Sequence, residues 1–211
     1  MFAINHAATA LLIKKAFPDV PIAPILASVQ VDEISWVILN FLGIEKTTTE
    51  DSVKSVKDVH LAYMPYSHSM VITVAVAAVA WAVIGFGLNA LHMGIAAALG
   101  ICSHLVLDLI SHARDIVIAP FLARKKFGLG LYEKPAVAFV VETVYGIFCW
   151  WIYGGSKALF WIILLFNLAN ASFFLKTISG PERFLAHRPR LIAAVIALQI
   201  IVTALLVGLF S

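Results

Sequence analysis

Residues 69–112 read SMVITVAVAAVAWAVIGFGLNALHMGIAAALGICSHLVLDLISH. Two windows, 69–91 and 92–112, each supply the roughly 20 mostly apolar residues that a membrane-spanning helix needs. They abut near Asn89–Gly94, which predicts a tight helical hairpin. Outward from this pair, the windows 21–43, 136–154, 158–176 and 190–210 meet the same length, so six spanning helices are expected. Apolar runs this long do not suit the alternating pattern of a membrane barrel. The expected fold is all-α, a polytopic transmembrane helical bundle.

Boundaries follow local chemistry. The first apolar segment, Ala3 to Phe17, is shorter and is closed by Lys14, Lys15 and then Pro18. A secretory signal places its positive charge before the apolar core, not after it. The segment therefore reads as a retained short helix, either half-spanning or packed against the bundle. Pro18, Pro21 and Pro24 separate it from the next helix. Gly154-Gly155, Gly180-Pro181 and Pro135 mark turns.

Composition agrees. The 211 residues are 62% hydrophobic and 13% charged, with a mean hydropathy of +0.96. A soluble domain carries about 25% charged residues, so disorder, coiled coils and soluble enzymes are excluded. The net charge of +3 is too small to suggest nucleic acid as a partner. Cys102 and Cys149 form neither a disulfide framework nor a C-x-x-C metal site.

Charge also orients the chain. With 69–112 as a hairpin, Lys46, Lys54, Lys57, Arg114, Arg124, Lys125, Lys126, Lys134, Lys176, Arg183, Arg188 and Arg190 share one side. Lys14, Lys15 and Lys157 lie on the other. Twelve against three makes the first side cytoplasmic. Lys14-Lys15 is the misfit and weakens a crossing by the first segment. The basic loops also suit anionic headgroups, and Trp150, Trp151 and Tyr153 read as an interfacial belt.

Ionisable groups within spanning segments are functional candidates by default. They are His6, Asp32-Glu33, His68 at the head of its helix, and His104/Asp108/His112. On a helix, positions four apart lie roughly 40° apart around the axis. His104 and Asp108 therefore share a face, as do Asp108 and His112. Adjacent turns can supply two ligands to one ion. His104 and His112 are about 12 Å apart along an unbroken helix, too far to share one. Asp108 would then bridge two ions, or His112 would orient Asp108 without binding metal itself.

Three helices thus aim imidazole and carboxylate groups into the cytoplasmic half of one bundle. Imidazole with carboxylate suits zinc, manganese or iron. Plainer readings stand beside this one. His104/Asp108 taken alone fits a buried ion pair as well as a metal site, and Asp32-Glu33 fits a proton relay or ion-pair partner. His92 reads as a contact at a turn, and His60 and His187 as loop residues, with Asp58 and His60 kept in reserve near His68.

Across most of residues 1–142 the chain resembles the membrane-bound metal-dependent hydrolases related to the YdjM type. The resemblance is carried by Asn5-His6, by Gln30-x-x-Glu33-x-x-Trp36 and by Leu42-Gly43-Ile44-Glu45. It continues through Met64-Pro65-Tyr66-Ser67-His68-Ser69, Ser103-His104-Leu105-Val106-Leu107-Asp108, His112, Phe127-Gly128-Leu129-Gly130-Leu131 and Glu142. It implies metal ligation by His6, by an acid at Glu33 or Asp32, and by His68, His104 and Asp108, with His112 close by. Relatives carry Asp three positions after the Gln, where this chain has Glu33 with Asp32 beside it. Register favours Glu33. After His112, relatives carry Arg-Pro-Asp, whereas Ala113-Arg114-Asp115 keeps the charges without the proline. The wider group resembles the all-helical zinc-dependent phospholipase C and P1-nuclease enzymes, which implies phosphoester hydrolysis by analogy of fold.

The resulting expectation is one integral membrane domain, 1–211. Residues 1–112 carry the metal-site helices, 113–135 form a basic cytoplasmic loop, and 136–211 form three C-terminal membrane helices. The expected function is a metal-dependent hydrolase of a bacterial or archaeal cytoplasmic membrane. Its cofactor is a divalent transition metal, zinc before manganese or iron, and its substrate is an amphiphilic or lipid phosphoester. Glu33, Asp32 and His112 are the candidate catalytic groups, with the spare carboxylate of the 32–33 pair as general base. A transporter or proton conductor using the same cluster, or a scaffold with a structural metal, are the rival expectations. No oligomeric state follows from the sequence.

Overall fold

The computed structural model describes residues 1–122, 126–178 and 180–211. Arg124 and Lys125, counted above for topology, lie outside the described residues. The fold is mostly helical. At its axis stands α1 (Ala3–Ala16), in which ten of fourteen residues are buried. A helix apolar all round belongs in an interior, and Ala7, Ala8 and Ala10 let its neighbours approach closely. Fourteen residues reach only about 21 Å, short of the roughly 30 Å of a hydrocarbon core. Of the two expected placements, packing against the bundle is the one observed. Lys14 donates to the carbonyls of Pro18 (2.7 Å) and Val20 (2.8 Å), and Lys15 to that of Ile152. The misfit lysines thus satisfy carbonyls beyond the helix end.

Against α1 pack α2 (Ile22–Ser28), α5 (Leu91–Ser111), α6 (Pro135–Tyr153), α7 (Lys157–Ala169) and α9 (Pro189–Phe210), while α3 (Val31–Phe41) packs on α9, α4 (Met70–Ala82) on α5 and α8 (Ala171–Phe174) on α6. A π-helical turn, Val83–Gly87, prolongs α4. The expected α4–α5 hairpin is present. At their crossing, a Cβ on Gly94 would stand 2.7 Å from the Gly85 backbone nitrogen, so a larger residue would force the two helices apart.

Six spans are not found among the described residues. Four of the described helices are long and apolar enough to cross a membrane (Met70–Gly87, Leu91–Ser111, Pro135–Tyr153 and Pro189–Phe210), or five if α2 and α3 count as one broken span. The expected 158–176 span stops at Ala169 after 13 residues. Asn170 there donates to Phe166 O and accepts from Gln199, both at 2.9 Å. Polar side chains that bond to backbone compete with helix continuation. The expected 21–43 span bends by 50° between Ser28 and Val31.

The chain is mostly helical, as expected, and the described residues add two small sheets. β1 (Lys46–Thr49) pairs antiparallel with β2 (Val59–Tyr63), and β3 (Ile116–Val117) with β4 (Lys126–Phe127). Both small sheets lie in the loops that follow α3 and α5. These loops converge at one end of the bundle: Ser69 bridges to Val117, Lys126 donates to Ala62 O, and His187 N donates to Thr49. At the opposite end, His92 pairs with Asp19 at 2.8 Å and Ser156 donates to Phe210 O. The basic loops therefore share an end, as the charge count requires.

Candidate metal centre

The site is built where α2 breaks from α3. The turn at Val29–Gln30 frees the Val29 carbonyl, which accepts from His104 Nδ1 at 2.7 Å, while Gln30 Nε2 donates to Ala3 O at 2.9 Å. Irregular backbone at membrane depth is tolerated only where protein buries it. Here α1 and α5 do so. With Nδ1 donating, a neutral His104 ring turns the lone pair of Nε2 inward.

One ligand atom each from Glu33, His68, His104 and Asp108 lie within 4.8 Å of one another. Asp108 Oδ2 is 3.2 Å from both His68 Nε2 and His104 Nε2. Glu33 Oε2 stands 3.6 Å from His68 Nε2 and 3.5 Å from His104 Nε2. Four donors set tetrahedrally about 2.0–2.1 Å from a zinc ion stand roughly 3.3 Å from each other. The four imidazole–carboxylate spacings, 3.2–3.6 Å, lie near that figure. His68 Nε2, His104 Nε2 and Asp108 Oδ2 are buried and have no hydrogen-bond partner among the described residues. Buried polar atoms are normally partnered, so three orphans converging on one point fit a cation between them.

Supporting groups orient the ligands. His68 Nδ1 faces Ser67 Oγ at 2.9 Å, and Ser67 Oγ donates to Glu45 Oε2 at 2.5 Å. Glu45, itself buried, also accepts from the backbone nitrogens of Tyr66 (2.9 Å) and Ser67 (3.0 Å). Hydrogen bonds of this kind fix the ring orientation of metal-binding histidines. Burial pulls the His68 pKa down, but the Asp108 and Glu33 carboxylates outweigh it and raise it well above the usual range. The same carboxylates would favour a cation in place of that proton.

The remaining candidates divide. Asp32 lies outside the four-atom set and accepts from Thr73 Oγ1 at 2.9 Å. His6 stacks on His104, with ring centroids 3.8 Å apart, and its Nε2 lies 3.3 Å from Asp108 Oδ1, an oxygen also bonded by the Met1 amine. Asp108 thus serves both groups through different oxygens. His112 stands beside Asp108, as the i, i+4 spacing requires, and outside the four-atom set. α5 ends at Ser111 and His112 is extended (φ −69°, ψ 153°), so its Nε2 turns back to within 3.7 Å of Asp108 Oδ2.

Two groups escaped the sequence reading of polar sites. Glu45 sits just beyond α3 and offered no intramembrane signal. Glu142, an acid within the apolar α6, did offer one. It is buried and accepts from Phe2 N (3.1 Å), Asn5 Nδ2 (2.7 Å) and Tyr132 OH (2.7 Å). Burial and the Glu142 carboxylate push the Tyr132 phenol well above its usual pKa.

Beside the ligands opens a cavity of about 700 Å³. Glu33, His68 and His112 contribute polar groups to its lining, Trp36, Phe173 and Ile192 apolar ones, and Lys57, Asp58 and His60 come from the loop before α4. Compared with known protein families, curated proteins and solved structures, the chain matches none.

Proposed function

We propose that this protein is a membrane-embedded, metal-dependent hydrolase acting on a phosphoester of an amphiphilic or lipid substrate at the cytoplasmic leaflet. The observation that carries the reading is the convergence of three orphaned, buried ligand atoms beside a cavity lined by both polar and apolar side chains. Glu33, His68, His104 and Asp108 would hold the ion, with zinc favoured over manganese or iron by the four-donor spacing. A bound ion of this kind supplies Lewis acidity and a water acidified toward a pKa of about 7.

The chain's own groups do the rest. His112 lines the cavity and stands beside Asp108 without belonging to the four-atom set. It moves a proton to or from the reacting ester. Asp115 Oδ2, 3.9 Å from His112 Nδ1, biases the ring's orientation. The Phe173 and Ile192 wall holds the apolar part of the substrate and excludes water.

The packing beneath the site favours hydrolysis over transport. Ala7, Ala8, Ala10 and Leu11 are wholly buried below His6, which fills the axis a passing ion would need. Metal-loaded protein should hydrolyse a phosphodiester. His112→Ala should cut turnover by about 10²–10⁴-fold, the usual contribution of a general acid or base, with the metal content unchanged. A metal-loaded wild type that turns over neither phospholipid nor a generic phosphodiester contradicts the reading.

A further inference from the structure

The loop after α5 carries large apolar side chains that the protein leaves uncovered. Phe121 is 83% exposed and Leu129 81%, and Leu122 and Phe127 are exposed beside them. Single apolar residues are ordinary on a surface, whereas four close together in one loop mark a place of interaction. Phe127, Gly128 and Leu129 also belong to a segment that the metal centre does not use.

The attachments of the loop fix where these groups lie. Ile118 O accepts from Val71 N at 2.9 Å and from Ser69 Oγ at 3.2 Å, so one end covers the first turn of α4. Leu129 N donates to Leu109 O at 2.7 Å and Gly130 N to His112 O at 2.8 Å, so the other end covers the last turn of α5. β3 and β4 join the two ends. Gly128 (φ +153°) lies flush on Ala113, where a Cβ would stand 1.7 Å from the carbonyl oxygen, so this seat demands glycine. Both helices are long and apolar enough to span. Spanning helices end where hydrocarbon gives way to head groups, a zone about 5–7 Å deep on each side.

Continuity names the occupant. α4 with its π-helical turn is the least buried of the four candidate spans. Val74 and Val79 are exposed along it, and Val106 and Ile110 are exposed toward the adjoining end of α5. In a bilayer those side chains meet acyl chains, and the loop extends the same apolar surface to the level of the head groups. We infer that Phe121, Leu122, Phe127 and Leu129 form an interfacial anchor, seated in the head-group–acyl boundary of the leaflet beside α4 and α5. Aromatic and aliphatic side chains are at home at that depth. Through the bond from Gly130 to His112, a cavity-lining residue, the anchor holds the rim of the cavity at the lipid surface.

Depth is the test. Nitroxides are placed at Phe121→Cys and Leu129→Cys, with Lys54→Cys as the water-facing reference, in a Cys102→Ser background where the remaining Cys149 is buried. In phosphatidylcholine nanodiscs, power saturation compares collisions with oxygen, which concentrates in hydrocarbon, and with a nickel chelate, which stays in water. The ratio of oxygen to chelate collisions should be several times higher at 121 and 129 than at 54. A ratio equal to that at 54 places the loop in water and overturns the inference. Few collisions with either reagent mean that a protein surface covers the loop, a second copy of this chain included, and overturn it equally.

Wild type gives a reading that needs no variant. A photoactivated diazirine lipid should label peptides from 116–130, and label on α4 without label there also overturns the anchor. Neither measurement involves metal or turnover. A metal-free or inactive protein therefore contradicts the hydrolase reading and leaves the anchor standing.

Discussion

His104 donates through Nδ1 to the carbonyl of Val29 across 2.7 Å, joining the middle of α5 to the break between α2 and α3. That bond explains two features together. The break gives the ring an acceptor, and the ring satisfies the carbonyl that the break exposes. The opposite nitrogen is then left facing Glu33 and Asp108.

The four-atom set predicts where metal affinity resides. His104→Ala and Asp108→Ala should each lose stoichiometric metal through dialysis while the protein stays folded by circular dichroism. Retention of metal by either variant would place the ion elsewhere.

Adjacent acids provide a sharper test. Glu33→Gln should lose metal, whereas Asp32→Asn, whose parent carboxylate bonds Thr73, should keep it. Elemental analysis of the pair decides the matter, and the reverse outcome would show that α3 is turned differently.

Ser67 and Glu45 act on the ion only through His68. Ser67→Ala and Glu45→Gln should lower metal affinity by about 10–100-fold, the usual effect of groups that orient a ligand. Competition with a chelator of known affinity measures it. An unchanged affinity would mean that His68 needs no such support.

Glu142 ties α6 to the head of α1 and to Tyr132. Glu142→Leu strands Phe2 N and the Tyr132 hydroxyl in an apolar setting, at about 1–3 kcal/mol for each buried polar group left unpaired, while Asn5 keeps its bonds with Asn167. Thermal unfolding should show a clear loss of stability, with Tyr132→Phe much milder. Equal stabilities would contradict a structural role for the network.

Much of the site was visible in the chain because it rests on helical spacing. The interval between His104 and Asp108 puts both on one face, and the resemblance favours Glu33, three positions after Gln30, over Asp32. What escaped depends on contacts between distant segments. The apolar run through Val29 hides the break, which is held by the bond from Gln30 to Ala3 of α1 and by His104 of α5. α5 ends at Ser111, one residue before the expected bound at 112, and neither Gly nor Pro marks the place, so the extended backbone of His112 is not legible in the chain. Asn170 ends α7 through a bond to Gln199 on another helix. The strands at Lys46–Thr49 and Val59–Tyr63 are short and pair across a loop, which no helical or apolar pattern reveals.

Anomalous scattering at the zinc edge from crystals of gently purified protein tests the central claim most directly. The account predicts a peak about 2.0–2.1 Å from Glu33, His68, His104 and Asp108. Full occupancy by no metal, or a peak bound by other residues, would contradict it.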